Sequence, residues 1–271
     1  MGRTYKSPIN WYGGKYYMAN DIINIFPEHK MFVEGFGGAG HIIFKKNPSS
    51  MEVYNDLHSG LYLLFKLLRE NNQELIKAIQ LTPYSRKQFI EDKGSWVTEI
   101  NEVEKVRKFY TDIMQAVGGK GGWCYAKSKS RRGMCQSVSR WLGNVDENMP
   151  NLIERLREIQ IENLDIIKLI NKYDAKDTFF YLDTPYIQET RSAKKMYDYE
   201  MSDEKHKELV ELLLHIKGKV ILSGYEHDIY KPLEENGWKK VLLGEFVKRS
   251  QKNNNGKLDK GQEFVWINYD I

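Results

Sequence analysis

The segment MFVEGFGGAGHIIFKK, residues 31–46, constrains this chain more than any other. A short apolar run of strand character leads into a glycine-rich bend, and the bend leads into a segment that suits a helix. Gly35, Gly37 and Gly40 follow the spacing G-x-G-x-x-G. Glycines between a strand and a helix allow a sharp turn and let a ligand come closer to the backbone than any Cβ would permit.

Further short apolar or aromatic runs read as buried strands: MEVY (51–54), TFFYL (178–182), KVILS (219–223), VLLGEFV (241–247) and EFVWIN (263–268). Helical patterns lie between them. Leu61, Leu64, Phe65 and Leu68 recur as one buried helix face requires. In SDEKHKELVELLLHIKG, Ser202 suits an N-cap, Asp203 and Glu204 the first turn, and Gly218 the stop. Strand–helix alternation at both ends predicts an α/β sheet with helices on its faces.

The middle of the chain differs. Residues 75–150 show no strand alternation, and VEKVRKFYTDIM reads as helix. Between Ile113 and Val145 there is no Asp or Glu, while Lys120, Lys127, Lys129, Arg131, Arg132 and Arg140 are interleaved with Trp123, Tyr125 and Trp141. The expected organisation is a catalytic domain from 1–60 and 155–271 with an insert, mainly helical, at 61–154.

Composition narrows the classes. Apolar residues make up 41% of the 271, enough for a real core, and the net charge is only +4, so the basic character is local rather than global. The N-terminal residues lack the apolar stretch of a secretory signal, and no run is long enough to cross a bilayer. Cys124 and Cys135 have neither a C-x-x-C arrangement nor neighbouring histidines, which predicts free thiols and no metal site. A cytoplasmic location is expected.

Asp56 follows Gly35 by 56 − 35 = 21 positions, at the end of the next strand. A carboxylate there is placed to accept hydrogen bonds from ribose hydroxyls, so the ligand should contain a nucleoside. The run TFFYL ends in Asp183-Thr184-Pro185-Tyr186. The exocyclic amine of a nucleobase is a poor nucleophile because its lone pair is delocalised into the ring. A carboxylate and a backbone carbonyl aimed at its N–H bonds favour positive charge on that nitrogen in a transition state. An adjacent aromatic ring can stack on the base, and a proline stiffens the turn. The same four residues also make an ordinary turn after a strand.

The tetrapeptide DTPY resembles the D-P-P-Y motif of amino-methylating DNA methyltransferases. FVEGFGGAG is similar to their S-adenosylmethionine loop, which often reads E-P-F-x-G-x-G. NWYGGK (10–15) resembles the W-x-G-G-K segment that precedes this loop in the Dam-like, D12 class of DNA adenine-N6 methyltransferases. The order of motifs also matches, from residue 8 to the C-terminus, with the insert only loosely similar.

The resemblance implies a Rossmann-like, S-adenosylmethionine-dependent methyltransferase sheet carrying an inserted DNA-recognition domain. It implies that Trp11 and Lys15 contact the methyl donor, that Asp56 holds its ribose, and that Phe36, Gly38 and Gly40 form the loop beneath it, with Glu34 counted among the donor-binding residues. Asp165 and Ile166 would bracket the donor's adenine. Asp183, Thr184, Pro185 and Tyr186 would form the catalytic target-base pocket, Asp183 also facing the donor. KRSQKNNNG (248–256) resembles a mobile loop near that pocket. Thr184 and Gly35 depart from family prolines, and both changes are expected to affect stiffness rather than contacts.

The implied partner is double-stranded DNA. Its target base would be flipped out, its phosphates held by Lys120, Lys127, Lys129, Arg131, Arg132 and Arg140, and its backbone also reachable by Arg191, Lys194 and Lys195. A monomer is expected, with two copies possible on a palindromic site, in a bacterial or phage setting such as restriction-modification. Three other readings stay open: a cytosine-N4 methyltransferase, a nicotinamide oxidoreductase, and a catalytically weak DNA-binding relative.

Overall fold

The computed structural model describes residues 5–70, 72–128, 133–187, 189, 199–247 and 260–271. In chain order the helices are α1 (Ala19–Asn24), α2 (His41–Lys45), α3 (Ser59–Glu70), α4 (Asn72–Gln80), α5 (Arg86–Asp92), α6 (Glu102–Met114), α7 (Gln136–Gly143), α8 (Met149–Leu156), α9 (Ile166–Tyr173), α10 (Asp203–Leu214) and α11 (Lys231–Glu235). The strands are β1 (Met31–Glu34), β2 (Met51–Asn55), β3 (Gln160–Glu162), β4 (Thr178–Asp183), β5 (Lys219–Gly224), β6 (Lys239–Val247) and β7 (Lys260–Ile267). Every strand read from the sequence is present, and β3 is an addition. The chain is mixed α/β with a Rossmann-like sheet.

The residues group into two compact units. One comprises Met1–Tyr16, Gly37–Pro48 and His58–Asn163, and the other Tyr17–Phe36, Ser49–Leu57 and Leu164–Ile271.

Among the described residues the second unit holds six strands in the order β2-β1-β4-β5-β7-β6. The β1 strand pairs in parallel with both β2 and β4, and β4 pairs in parallel with β5. The β7 strand then runs antiparallel between β5 and β6. Since β2 lies on one side of β1 and β4 on the other, the chain reverses its direction of sheet growth beside β1. The crevice at the carboxyl ends of β1 and β4 is therefore the topological switch point, where open α/β sheets bind ligands.

Period-two alternation sends neighbouring side chains of a strand to opposite faces. Val33, Val53, Phe180, Leu182, Val220 and Leu222 share one core cluster with Ile166, Leu169 and Ile170 of α9 and Leu209, Val210 and Leu213 of α10. On the opposite face Phe26 stacks on Phe32 at 5.5 Å between ring centroids and meets Phe179 at 4.6 Å. The α10 helix starts as its sequence suggests, with Ser202 accepting from the Lys205 N–H at 3.2 Å.

The first unit is helical apart from β3 and a bridge between Ala116 and Trp123. Leu61, Leu64, Phe65 and Leu68 of α3 are all fully buried, as their spacing requires. Arg107 of α6 forms a two-pronged ion pair with Asp92 of α5, both contacts at 2.8 Å. Residues 8–10 are fastened to α6: Tyr110 Oη donates to the Pro8 carbonyl at 3.0 Å, and the Asn10 N–H approaches Met114 Sδ at 3.1 Å. These bonds explain why the N-terminal segment groups with the inserted helices. Among the described residues no helix is long and apolar enough to cross a membrane.

Candidate active site

In the second unit the parallel register brings three carboxylates to adjoining strand ends. Glu34 closes β1 opposite Tyr54 and Tyr181, Asp56 follows the last residue of β2, and Asp183 closes β4 opposite Ser223. Neighbouring strands are ~4.8 Å apart, so these groups border one crevice. Glu34 is buried, whereas Asp56 and Asp183 are half-buried. The Tyr54 hydroxyl is pushed well above its ordinary pKa, by burial first and then by Asp56 and Glu34. Asp56 and Glu34 thus act on the same buried phenol.

Gly35 sits at the start of the bend for steric reasons. A Cβ on it would stand 2.6 Å from Leu182 Cδ2 and 2.8 Å from Ile166 Cδ1. Its N–H donates to the Tyr181 carbonyl at 3.0 Å. A Cβ of the family proline would therefore require Leu182 and Ile166 to shift.

Asn55 organises the same region. Its amide nitrogen donates to the carbonyls of Gly35 at 2.9 Å and Leu164 at 3.1 Å, while its oxygen accepts from the Leu164 N–H at 2.8 Å. One buried side chain so links the glycine bend to the residue just before Asp165. Asp165 caps α9 by accepting from the Ile167 N–H at 3.0 Å and pairs with Lys205 Nζ at 3.1 Å. Burial lowers the Lys205 pKa, but hydrogen bonds to Glu208 and Asp165 outweigh it and hold the ammonium above its ordinary value. Ile166 is buried against the core, and Phe36 is partly buried against it.

After β4, Thr184 and Tyr186 are buried and Pro185 is half-buried. Tyr186 Oη donates to Glu263 Oε1 of β7 at 2.6 Å, and Ser223 Oγ donates to the same oxygen at 2.9 Å. The Tyr186 and Tyr225 rings lie 4.1 Å apart at 33°.

The first unit holds Trp11, Lys15, Gly38 and Gly40. Gly38 and Gly40 have positive φ values of 50° and 68°, a conformation that favours glycine. A Cβ on Gly38 would meet Trp11 Cδ1 at 2.8 Å, and one on Gly40 would meet Phe44 at 2.4 Å. Trp11 also contacts His58 at 5.0 Å and Phe109 at 6.2 Å between centroids. Lys15 is buried. His41, under Gly14, has its pKa lowered to about 4, by burial first and by Lys45 second.

Lys120, Lys127 and Arg140 are exposed in this unit. Lys120 Nζ stands 5.9 Å from the Tyr12 ring centroid. Arg86, which the sequence reading did not single out, lies 4.7 Å over Trp123, itself stacked on Tyr125 at 5.8 Å. Lys129, Arg131, Arg132, Arg191, Lys194, Lys195 and the 248–256 segment lie outside the described residues. Cys124 and Cys135 are free thiols.

Asn55, Lys205, Ser223, Tyr225 and Glu263 also escaped the sequence reading. Glu263 left one trace, a carboxylate inside the apolar strand EFVWIN.

A mixed sheet with carboxylates at the ends of its parallel strands and the D-T-P-Y turn after β4 matches one class, the Rossmann-like methyltransferases. The sequence model described as D12 class N6 adenine-specific DNA methyltransferase matches residues 11–249. The chain belongs to that family, whose chemistry requires a methyl donor. It is similar to "Modification methylase StsI" of Streptococcus sanguinis, 23% identical over 201 residues. That match covers 69% of this chain and 29% of the relative, so the chain spans under a third of that protein's length.

Proposed function

We propose that this chain transfers a methyl group from S-adenosylmethionine to N6 of an adenine flipped out of duplex DNA. The observation that carries the reading is the end of β4: Asp183 closes a central parallel strand beside Glu34 of β1, and the Thr184-Pro185-Tyr186 turn follows with Thr184 and Tyr186 buried. Family membership supports adenine as the target.

The chemistry of the side chains fits such a donor. Carboxylates at Glu34, Asp56 and Asp165 suit its hydroxyls and amino groups, and the positive φ values of Gly38 and Gly40 shape the bend beside them. Trp11, Lys15, Phe36 and Ile166 complete the proposed donor-binding set. When bound, the donor supplies an electrophilic methyl carbon on a sulfonium.

Asp183 accepts a hydrogen bond from the target amine, and the Thr184 carbonyl accepts the other. Both stabilise the positive charge that grows on nitrogen as it attacks. The Tyr186 ring stacks on the extruded base, and Pro185 limits motion of the turn. No side chain becomes covalently attached, so the rate derives from positioning and electrostatics.

Residues 61–154 serve as the recognition insert. Lys120, Lys127, Lys129, Arg131, Arg132 and Arg140 hold phosphates or read base edges. The protein acts as a cytoplasmic monomer without a metal.

Incubation with mixed-sequence duplex DNA and methyl-labelled donor, followed by nucleoside mass analysis, tests the reading. Label is expected in N6-methyladenine. Label confined to cytosine, or DNA binding without transfer, overturns it.

A further inference from the structure

Glu263 is buried, 3% exposed, in a strand whose other inward residues are apolar. Its Oε1 accepts from both Tyr186 Oη and Ser223 Oγ, at 2.6 and 2.9 Å. Burying a carboxylate is costly unless it is well hydrogen-bonded, and short O–H···O⁻ bonds are the strong kind. A structural need alone would be met by another apolar residue at this point of β7. The carboxylate instead reaches the one tyrosine of the D-T-P-Y turn.

A tyrosine ring is oriented by two torsions, and fixing its hydroxyl fixes both. Tyr225 closes one side of the same ring, at 4.1 Å and 33°. Ser223 is the register partner of Asp183, in the strand next to the turn. The carboxylate therefore joins the turn that carries the aromatic shelf to the strand alongside it.

We propose that Glu263 is the positioning residue of the target-base pocket: it locks the Tyr186 ring at the angle that receives the extruded adenine. This rests on the reading of Asp183–Tyr186 as that pocket. Glu263 touches neither base nor donor in this role and acts through Tyr186.

The test is single-turnover methyl transfer by the full chain under saturating donor, on duplex DNA containing its methylation site, with 2-aminopurine fluorescence at the target position reporting extrusion. Glu263→Ala should slow transfer by about 10- to 100-fold, the size of a sub-ångström to 1 Å misplacement. DNA and donor affinities should stay within about threefold, and the fluorescence of the extruded base should change, because its stacking partner has moved. Glu263→Gln keeps an oxygen acceptor for both hydroxyls and should recover most of the rate.

Tyr186→Phe keeps the ring and removes the hydroxyl that bonds Glu263, so it tests the link even where Glu263→Ala fails to fold. It should slow transfer comparably, and where Glu263→Ala folds, adding it to Tyr186→Phe should cost nothing more. A Tyr186→Phe rate equal to wild type overturns the inference, as do multiplicative losses in the double variant. Wild-type protein that forms no N6-methyladenine overturns the pocket reading itself, and the inference with it.

Discussion

The Asn55 side chain donates to the Gly35 carbonyl at 2.9 Å while accepting from the Leu164 N–H at 2.8 Å. One amide thus fixes the distance between the glycine bend and the segment that opens α9. Asn55→Ala leaves two carbonyls and one N–H without this partner in a buried site. The expected loss of stability is about 2–4 kcal/mol, with weaker donor binding and little change in DNA affinity. Urea unfolding and donor titration check both parts. A stability change under about 0.5 kcal/mol would remove Asn55 from this role.

Replacing Gly35 by proline restores the commoner family motif and should nonetheless harm this chain. The substitution deletes the N–H that donates to the Tyr181 carbonyl at 3.0 Å. It also places a Cβ 2.6 Å from Leu182 Cδ2. A cost of about 3 kcal/mol or more follows from lost hydrogen bonding and overpacking together. A thermal melt equal to or above wild type would show that Leu182 and Ile166 yield without penalty.

Part of this was legible in the sequence for clear physical reasons. Strands such as TFFYL and KVILS announce themselves by β-branched and aromatic runs, and Glu34, Asp56 and Asp183 by standing where such runs stop. The β3 strand, QIE, is three residues long and too short to show a period. Residues whose role depends on a distant partner left little trace. Asn55 finds Leu164 across 109 positions, and Tyr186 finds Glu263 across 77. No local pattern encodes those meetings. The steric need at Gly35 is equally hidden, because it belongs to Leu182 and Ile166 opposite.

Acidification should loosen the first unit through His41. Its pKa is lowered from 6.5 to about 4, so the unfolded chain takes up this proton before the folded one does. Stability from the neutral imidazole is complete above about pH 6.5 and declines as pH falls towards about 4, by up to about 3 kcal/mol. Urea midpoints from pH 4 to 8 for wild type and His41→Gln check the sign. The wild type should lose more stability across that window, and parallel curves would contradict the assignment.

Neutralising the exposed Lys127 and Arg140 together should weaken DNA binding and flatten its dependence on salt. The slope of log K against log[salt] should fall by about one unit for each phosphate contact removed. Donor affinity should not change. Unaltered DNA affinity and slope would take these two side chains out of the DNA-binding surface.

The most direct measurement is methylation mapping of genomic DNA from cells expressing wild-type protein or Asp183→Ala. The account predicts N6-methyladenine in a defined sequence context with the wild type and none above background with the variant. The purified variant should still bind duplex DNA, because the proposed mechanism puts the carboxylate at the extruded amine and not at the backbone. N6-methyladenine formed equally by Asp183→Ala, or methylation found only on cytosine, would contradict it.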